Sequence, residues 1–155
     1  MHQSGFLETC LGFFDEIALE TARVDSVTDC VVPGLSVQDG VLQICEAGLM
    51  YPGDILHEAG HIAVVPASER ATLCNRSIED REQSAAEEMM AIAWSYAAAT
   101  HLELDLETVF HDNGYKGGGR WILDAFNRGG EIGVPMLRWV GMTEEFPEML
   151  QWMRS

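Results

Sequence analysis

His57-Glu58-Ala59-Gly60-His61 sets two imidazoles four residues apart with a carboxylate directly after the first. On a helix that spacing puts both histidines on one face, where they can reach a single metal ion. Glu58 then stands beside a water on that ion and can accept its proton. The flanking residues favour a helix. Ile55, Leu56, Ala59, Ile62 and Ala63 recur at helical spacing and give an apolar face beside the histidine pair. Pro52-Gly53 breaks the chain ahead of it, Asp54 is suited to the N-cap, and Pro66 stops it. Two surface histidines on an ordinary amphipathic helix are the bland alternative.

A catalytic zinc takes three protein ligands and leaves one position for water. A third histidine six residues beyond His61 is excluded, because that position is Ala67. A glutamate from a later helix is the other solution, and Glu87 and Glu88 stand where a second helical stretch turns apolar. An unpaired carboxylate is costly to bury, so a cation or donor is expected beside it. Glu88 shares a face with Ala85, Ala91, Ile92 and Ser95, while Glu87 neighbours Gln83, Ala91 and Trp94. Periodicity does not separate the two.

A hydrolase also needs a group that stabilises the oxyanion developing on an attacked carbonyl. His111 and Tyr115 sit in or beside the glycine-rich loop Asn113-Gly114-Tyr115-Lys116-Gly117-Gly118-Gly119, and are the candidates for that role. A plain connecting loop with a satisfied histidine and a packed tyrosine is the competing reading. Lys116 and Arg120 could hold a substrate carboxylate there. The glycines are not a phosphate loop, because Lys116 precedes them and no GK[ST] follows. His101 suits a helix C-terminus, where its charge complements the dipole. His2 is read as part of a disordered end, and Trp121, Trp139 and Trp152 as core or lid anchors without a site role.

The elements that must position these residues follow from periodicity. An opening helix is expected from about Gly5 to Arg23. Leu35-Ser36-Val37-Gln38, Asp39-Gly40 and Val41-Leu42-Gln43-Ile44-Cys45 read as a hairpin with a two-residue turn. That turn pairs Gln38 with Val41, Val37 with Leu42, Ser36 with Gln43 and Leu35 with Ile44, keeping apolar pairs on one face. Val31-Val32 reads as a short extra strand. A long helix is expected from about Ile78 to His101, with Ser77 as N-cap and Asp80 as its partner, apolar almost all round from Met89 to Ala99 and hence buried. Helices near Trp121–Arg128, Pro135–Val140 and Glu144–Arg154 complete the pattern. The motif helix and the Ile78–His101 helix should pack together with the metal between them. The fold class is α+β, helices on one small antiparallel sheet, in a single domain over residues 1–155.

Composition limits the partners. In 155 residues, 47% are hydrophobic and 22% charged, which suits one soluble globular core. A formal charge of −16, from 9 basic and 25 acidic residues, argues against nucleic acid and against an anionic membrane surface. No apolar run has transmembrane length, and Met1-His2-Gln3 lacks the basic and apolar parts of a secretory signal. Cys10, Cys30, Cys45 and Cys74 contain no CxxC pair, so free thiols in a reducing cytoplasm are expected, with two bridges as the alternative if a leader has been removed.

The histidine motif followed by Glu88-Met89-Met90-Ala91 resembles the gluzincin metallopeptidases, above all the small cytoplasmic ImmA/IrrE-like and minimal gluzincin group. In those families the ligand glutamate is commonly followed by alanine three residues later and by Asp or Asn four later. Ala91 matches and Ile92 departs, so another group must orient a metal-bound histidine. The resemblance spans roughly residues 35–100 and implies a zincin-like fold. It also implies one Zn2+ per chain on His57, His61 and Glu88, Glu58 as general base, and a peptide or protein substrate. Iron, cobalt, nickel or manganese suits the same donors. The strand Val41–Cys45 would pair with an extended peptide if its edge is open. The alternative is a zincin-fold regulatory or peptide-binding protein without efficient turnover, favoured by the small size and the lack of a recognisable substrate-binding domain. A purely structural metal site would leave Glu58 without a purpose.

Overall fold

Phe6, Leu7, Cys10, Phe13 and Phe14 recur on one face of the opening helix, α1 (Gln3–Glu16), and all five are buried. The computed structural model describes residues 3–30 and 32–155. His2 and Val31 lie outside those residues, and Val32 is not part of a strand. The opening helix stops at Glu16, short of the expected Arg23. Ala18 takes a left-handed φ of 63°, which a continuing helix does not tolerate, and Leu19 turns into the core. The freed segment becomes a strand, β1 (Thr21–Arg23).

The hairpin strands are β2 (Leu35–Gln38) and β3 (Val41–Ile44). Their register is Leu35 with Ile44, Ser36 with Gln43, Val37 with Leu42 and Gln38 with Val41, as the turn dictates. Asp39 and Gly40 both have positive φ (52° and 76°), the conformation a primed hairpin turn requires. β1 adds to the other side of β3 in parallel, giving the order β1-β3-β2. The sheet is therefore mixed rather than wholly antiparallel, because the segment after α1 supplies a third strand running with β3.

The motif helix, α2 (Asp54–Val64), is buried along nearly its whole length. Its N-cap is Gly53, not Asp54, whose carboxylate is engaged elsewhere. A Cβ at Gly53 would lie 2.0 Å from the Thr108 carbonyl oxygen, so the close approach of the neighbouring segment requires glycine. Two single turns follow, α3 (Ala67–Arg70) and α4 (Asn75–Ile78), and then the long helix α5 (Ser84–His101). The expected Ile78–His101 helix is thus split. Ser77 lies inside α4, where its hydroxyl bonds the Cys74 backbone N–H at 3.1 Å. The break lets Arg81 fold back onto Glu87, Nε to Oε1 at 2.6 Å.

Beyond α5 come α6 (Leu106–Val109), α7 (Gly119–Asn127) and α8 (Val134–Trp139). The expected helix over Glu144–Arg154 does not form. Pro147 supplies no N–H, Thr143 and Met149 form an isolated bridge, and the segment bonds outward instead. Its Trp152 carbonyl accepts from Trp94 Nε1 (2.9 Å), and its Arg154 N–H donates to the Ala63 carbonyl (2.9 Å). Trp152 is half-buried, edge-on to Phe13 and Trp94, and His101 at the end of α5 lies against Phe13 and Trp152. Trp121 and Trp139 are not anchors: they are 70% and 90% exposed, because Ile122, Leu123 and Phe126 of α7 and Val134 and Leu137 of α8 take the inward faces. All four cysteines are free thiols, and burial pushes that of Cys10 up to about 12.

α2 lies against β2 and β3 on one side and against α5 on another, so the motif helix occupies the middle of this α+β fold. Among the described residues, no helix is long and apolar enough to cross a membrane.

Candidate metal centre

Gly60 governs how closely α2 and α5 approach. A Cβ there would sit 3.0 Å from the Ala91 carbonyl oxygen and 3.3 Å from the Ala91 Cβ, so a larger residue would push the helices apart. With glycine in place, Glu88 on the first turns of α5 faces the histidines one turn apart on α2. Its Oε1 lies 3.2 Å from His57 Nε2 and its Oε2 lies 2.8 Å from His61 Nε2. The two Nε2 atoms are 3.2 Å apart, and all three donor atoms fall within 4.8 Å of one another. Tetrahedral bonds of about 2.0–2.1 Å would separate such donors by about 3.3 Å, so the set fits a divalent cation in spacing and in chemistry.

The electrostatics of the cluster agree with its geometry. Burial disfavours the Glu88 carboxylate, but hydrogen bonds and charge from His57 and His61 outweigh it and hold the carboxyl well below the usual range. Burial lowers His57, and the Glu88 hydrogen bond with the charges of Glu88, Glu58 and Asp54 overcomes it, for a net rise. Glu87 points the other way. Its carboxylate is 3% exposed and makes two bonds to Arg81, 2.6 Å from Nε and 3.0 Å from Nη2. Arg81 satisfies the glutamate that the histidines do not reach, so Glu88 is the one that joins the His57–His61 cluster.

The Ile92 departure has a visible counterpart. Ile92 is buried and lines the cleft, and His57 Nδ1 is buried without a hydrogen-bond partner. Glu58 is buried and lines a cleft of about 710 Å³ with His57, His61 and Glu88, a size typical of small-molecule sites.

The loop candidates divide. His111 Nε2 lies 2.7 Å from Asp54 Oδ1 at the start of α2, and its ring stacks on Tyr51 at 4.3 Å. It stands behind Asp54 rather than on the cleft wall, and it ties the loop to the motif helix. Tyr115 is on the wall, its ring 4.9 Å from that of His57 and stacked on Phe110 at 5.5 Å. The Tyr115 hydroxyl is buried without a well-formed hydrogen bond. Ser95, which favours the phenolate, commits its own proton to the Ala91 carbonyl at 2.7 Å. Burial pushes the phenol well above its ordinary value. Lys116 lines the cleft, whereas Arg120 stands off it and lies nearest to Asp112, at 3.9 Å.

Asp54 and Asn75 were not read from the sequence as cleft residues. Asp54 lies three residues before His57, on the same helical face, a spacing that could have revealed it. Asn75 had no such signal. It accepts from the Val37 N–H (3.0 Å) and donates to Asp29 O (2.8 Å) and Ser36 Oγ (3.2 Å), joining residues far apart in the chain. That bond to Val37 occupies part of the outer edge of β2. β3 is the central strand, paired on both sides, so the expected pairing of Val41–Cys45 with an extended peptide is closed.

Comparison of this chain with protein-family models, with curated proteins and with solved structures finds no match.

Proposed function

We propose that the protein is a zinc-dependent hydrolase with a zincin-like, gluzincin-type centre, acting on peptide bonds. The observation that carries this reading is the convergence of His57, His61 and Glu88 on one point beside Glu58 in an open cleft. His57 Nε2, His61 Nε2 and one Glu88 oxygen would hold the cation. When bound, a divalent cation there supplies Lewis-acid polarisation of a carbonyl and lowers the pKa of water.

The chain's own residues do the rest. Glu58 takes the proton of the attacking water on a carboxylate oxygen and returns it to the departing amine as the C–N bond breaks. Tyr115, whose un-ionised hydroxyl makes no well-formed hydrogen bond, donates to the oxygen of the attacked carbonyl. His111, held by Asp54, keeps the Tyr115 loop seated against α2.

The test is elemental analysis of the purified protein together with Glu58→Gln and His57→Ala. One divalent metal per chain is expected in the native protein and in Glu58→Gln, and none in His57→Ala. Hydrolysis of a peptide library is expected of the native protein alone. Full activity in Glu58→Gln would assign the proton to another base, and a metal-loaded native protein that cleaves nothing would leave a metal-binding protein without turnover.

A further inference from the structure

Lys116 is the only lysine in a chain with 25 acidic residues. Such a cation would ordinarily find a carboxylate, yet Lys116 makes no ion pair or hydrogen bond among the described residues, and it is exposed on the cleft wall. The other charged groups on that wall, histidines aside, are Asp54, Glu58, Glu79 and Glu88, all acidic. The backbone fixes where it stands. Tyr115, Lys116 and Gly117 take left-handed φ values of 55°, 57° and 85° in succession, an arrangement costly for the two side-chain-bearing residues. That turn packs the Tyr115 ring edge-on to His57 and leaves the next residue at the cleft mouth. The His111–Asp54 bond anchors the same loop to the motif helix.

The rest of the wall selects the remainder of the ligand. Val32, Pro33, Ile78, Ile92 and Ile122 offer apolar surface, and the acidic groups repel further negative charge. We infer that Lys116 is a specificity-determining residue that holds a substrate's free carboxylate, so that the cleft takes short apolar peptides by their C-terminal end. This rests on the hydrolase reading only for what happens to the peptide afterwards; the binding preference stands on the cleft alone. Acidic peptides are poor ligands, since one ammonium is available for one carboxylate.

Binding without turnover separates the two questions. N-acetyl-Leu-Leu and its C-terminal amide are titrated calorimetrically into Glu58→Gln protein, in chelator and again with zinc added, and into the same protein carrying Lys116→Gln or Lys116→Arg. The free acid is expected to bind about tenfold more tightly than the amide, the weight of one charge-assisted bond. Lys116→Gln should level the two and Lys116→Arg should retain the preference. Because there is one lysine, an amine-acetylating reagent gives a second readout by mass spectrometry: the acid should protect Lys116 and the amide should not. Equal affinities for acid and amide, binding of neither, or a preference that survives Lys116→Gln would overturn the assignment. Metal content and turnover of the native protein are read separately, so failure of the hydrolase reading shows itself without touching this result.

Discussion

Glu87 and Glu88 are adjacent in sequence, and a rotation of about 100° along α5 gives them different environments. Glu87 is enclosed and bound by Arg81, while Glu88 lies between two imidazoles. The same substitution should therefore separate them. Glu88→Gln is expected to lose the metal, and with it the partly screened stabilisation that the carboxylate lends the metal-free fold through the two imidazoles. Glu87→Gln should keep the metal and lose about 2 kcal/mol, less than for a fully buried pair because Arg81 stays partly hydrated and retains Glu69. Metal analysis and denaturant unfolding in chelator decide it. A pH prediction belongs to the same residues. The lowered Glu88 stabilises the metal-free fold above the unfolded carboxyl value of about 4.3 and loses that contribution as pH falls through its folded value. The raised His57 contributes fully below about 6.5 and loses its contribution as pH rises through its higher folded value. Metal requires the neutral imidazole, so binding strengthens over the rise that weakens the metal-free cluster. The increase in Tm on adding zinc should be larger at about pH 8 than at about pH 6, and an equal shift at both would mean the histidines are not the ligands.

At the scale of elements, the site depends on the approach of α2 to α5. Gly60→Ala gains helix propensity of about 1 kcal/mol, but its methyl would press on the Ala91 carbonyl, and overpacking costs about 1–3 kcal/mol. Backbone does not yield as a side-chain tip does, so a net loss is expected. Metal affinity should fall further than stability, since a few tenths of an ångström between the helices acts directly on the Glu88–histidine distances. Isothermal titration with zinc, set beside thermal unfolding in chelator, measures both. This contact also marks what the sequence could convey. The hairpin register was legible because Asp39-Gly40 fixes the turn and alternation fixes the faces. The two histidines were legible because they share one local period. What failed depended on distant partners. β1 was hidden inside an apparent helix because pairing with β3, Thr21 opposite Leu42, outweighs local propensity. The C-terminal segment reads as helical, yet its groups bond to Trp94 and Ala63. The break before α5 reflects Arg81 returning to Glu87, an interaction no period announces.

At the scale of the whole molecule, charge opposes the fold. With 25 acidic and 9 basic residues, compaction brings like charges together, and the unfolded chain relieves that repulsion. Exposed pairs such as Arg138–Glu131 and Arg76–Asp29 act in the opposite sense, and salt weakens them too. The numbers favour repulsion, because even complete pairing of the basic residues leaves sixteen negative charges without a partner. The Arg70 clamp at the end of α2 is largely insensitive to this competition. Its guanidinium is half-shielded and bonds the carbonyls of Ile62 (3.0 Å), Val65 (3.1 Å) and Arg154 (2.8 Å), joining the motif helix to the C-terminal segment. Sodium chloride should accordingly stabilise the metal-free protein, raising Tm by about 2–4 °C between low and moderate salt, equivalent to about 1 kcal/mol. Chelator must be present throughout, so that trace metal does not mimic the effect. A Tm that falls with salt would mean that surface pairs outweigh the surplus charge.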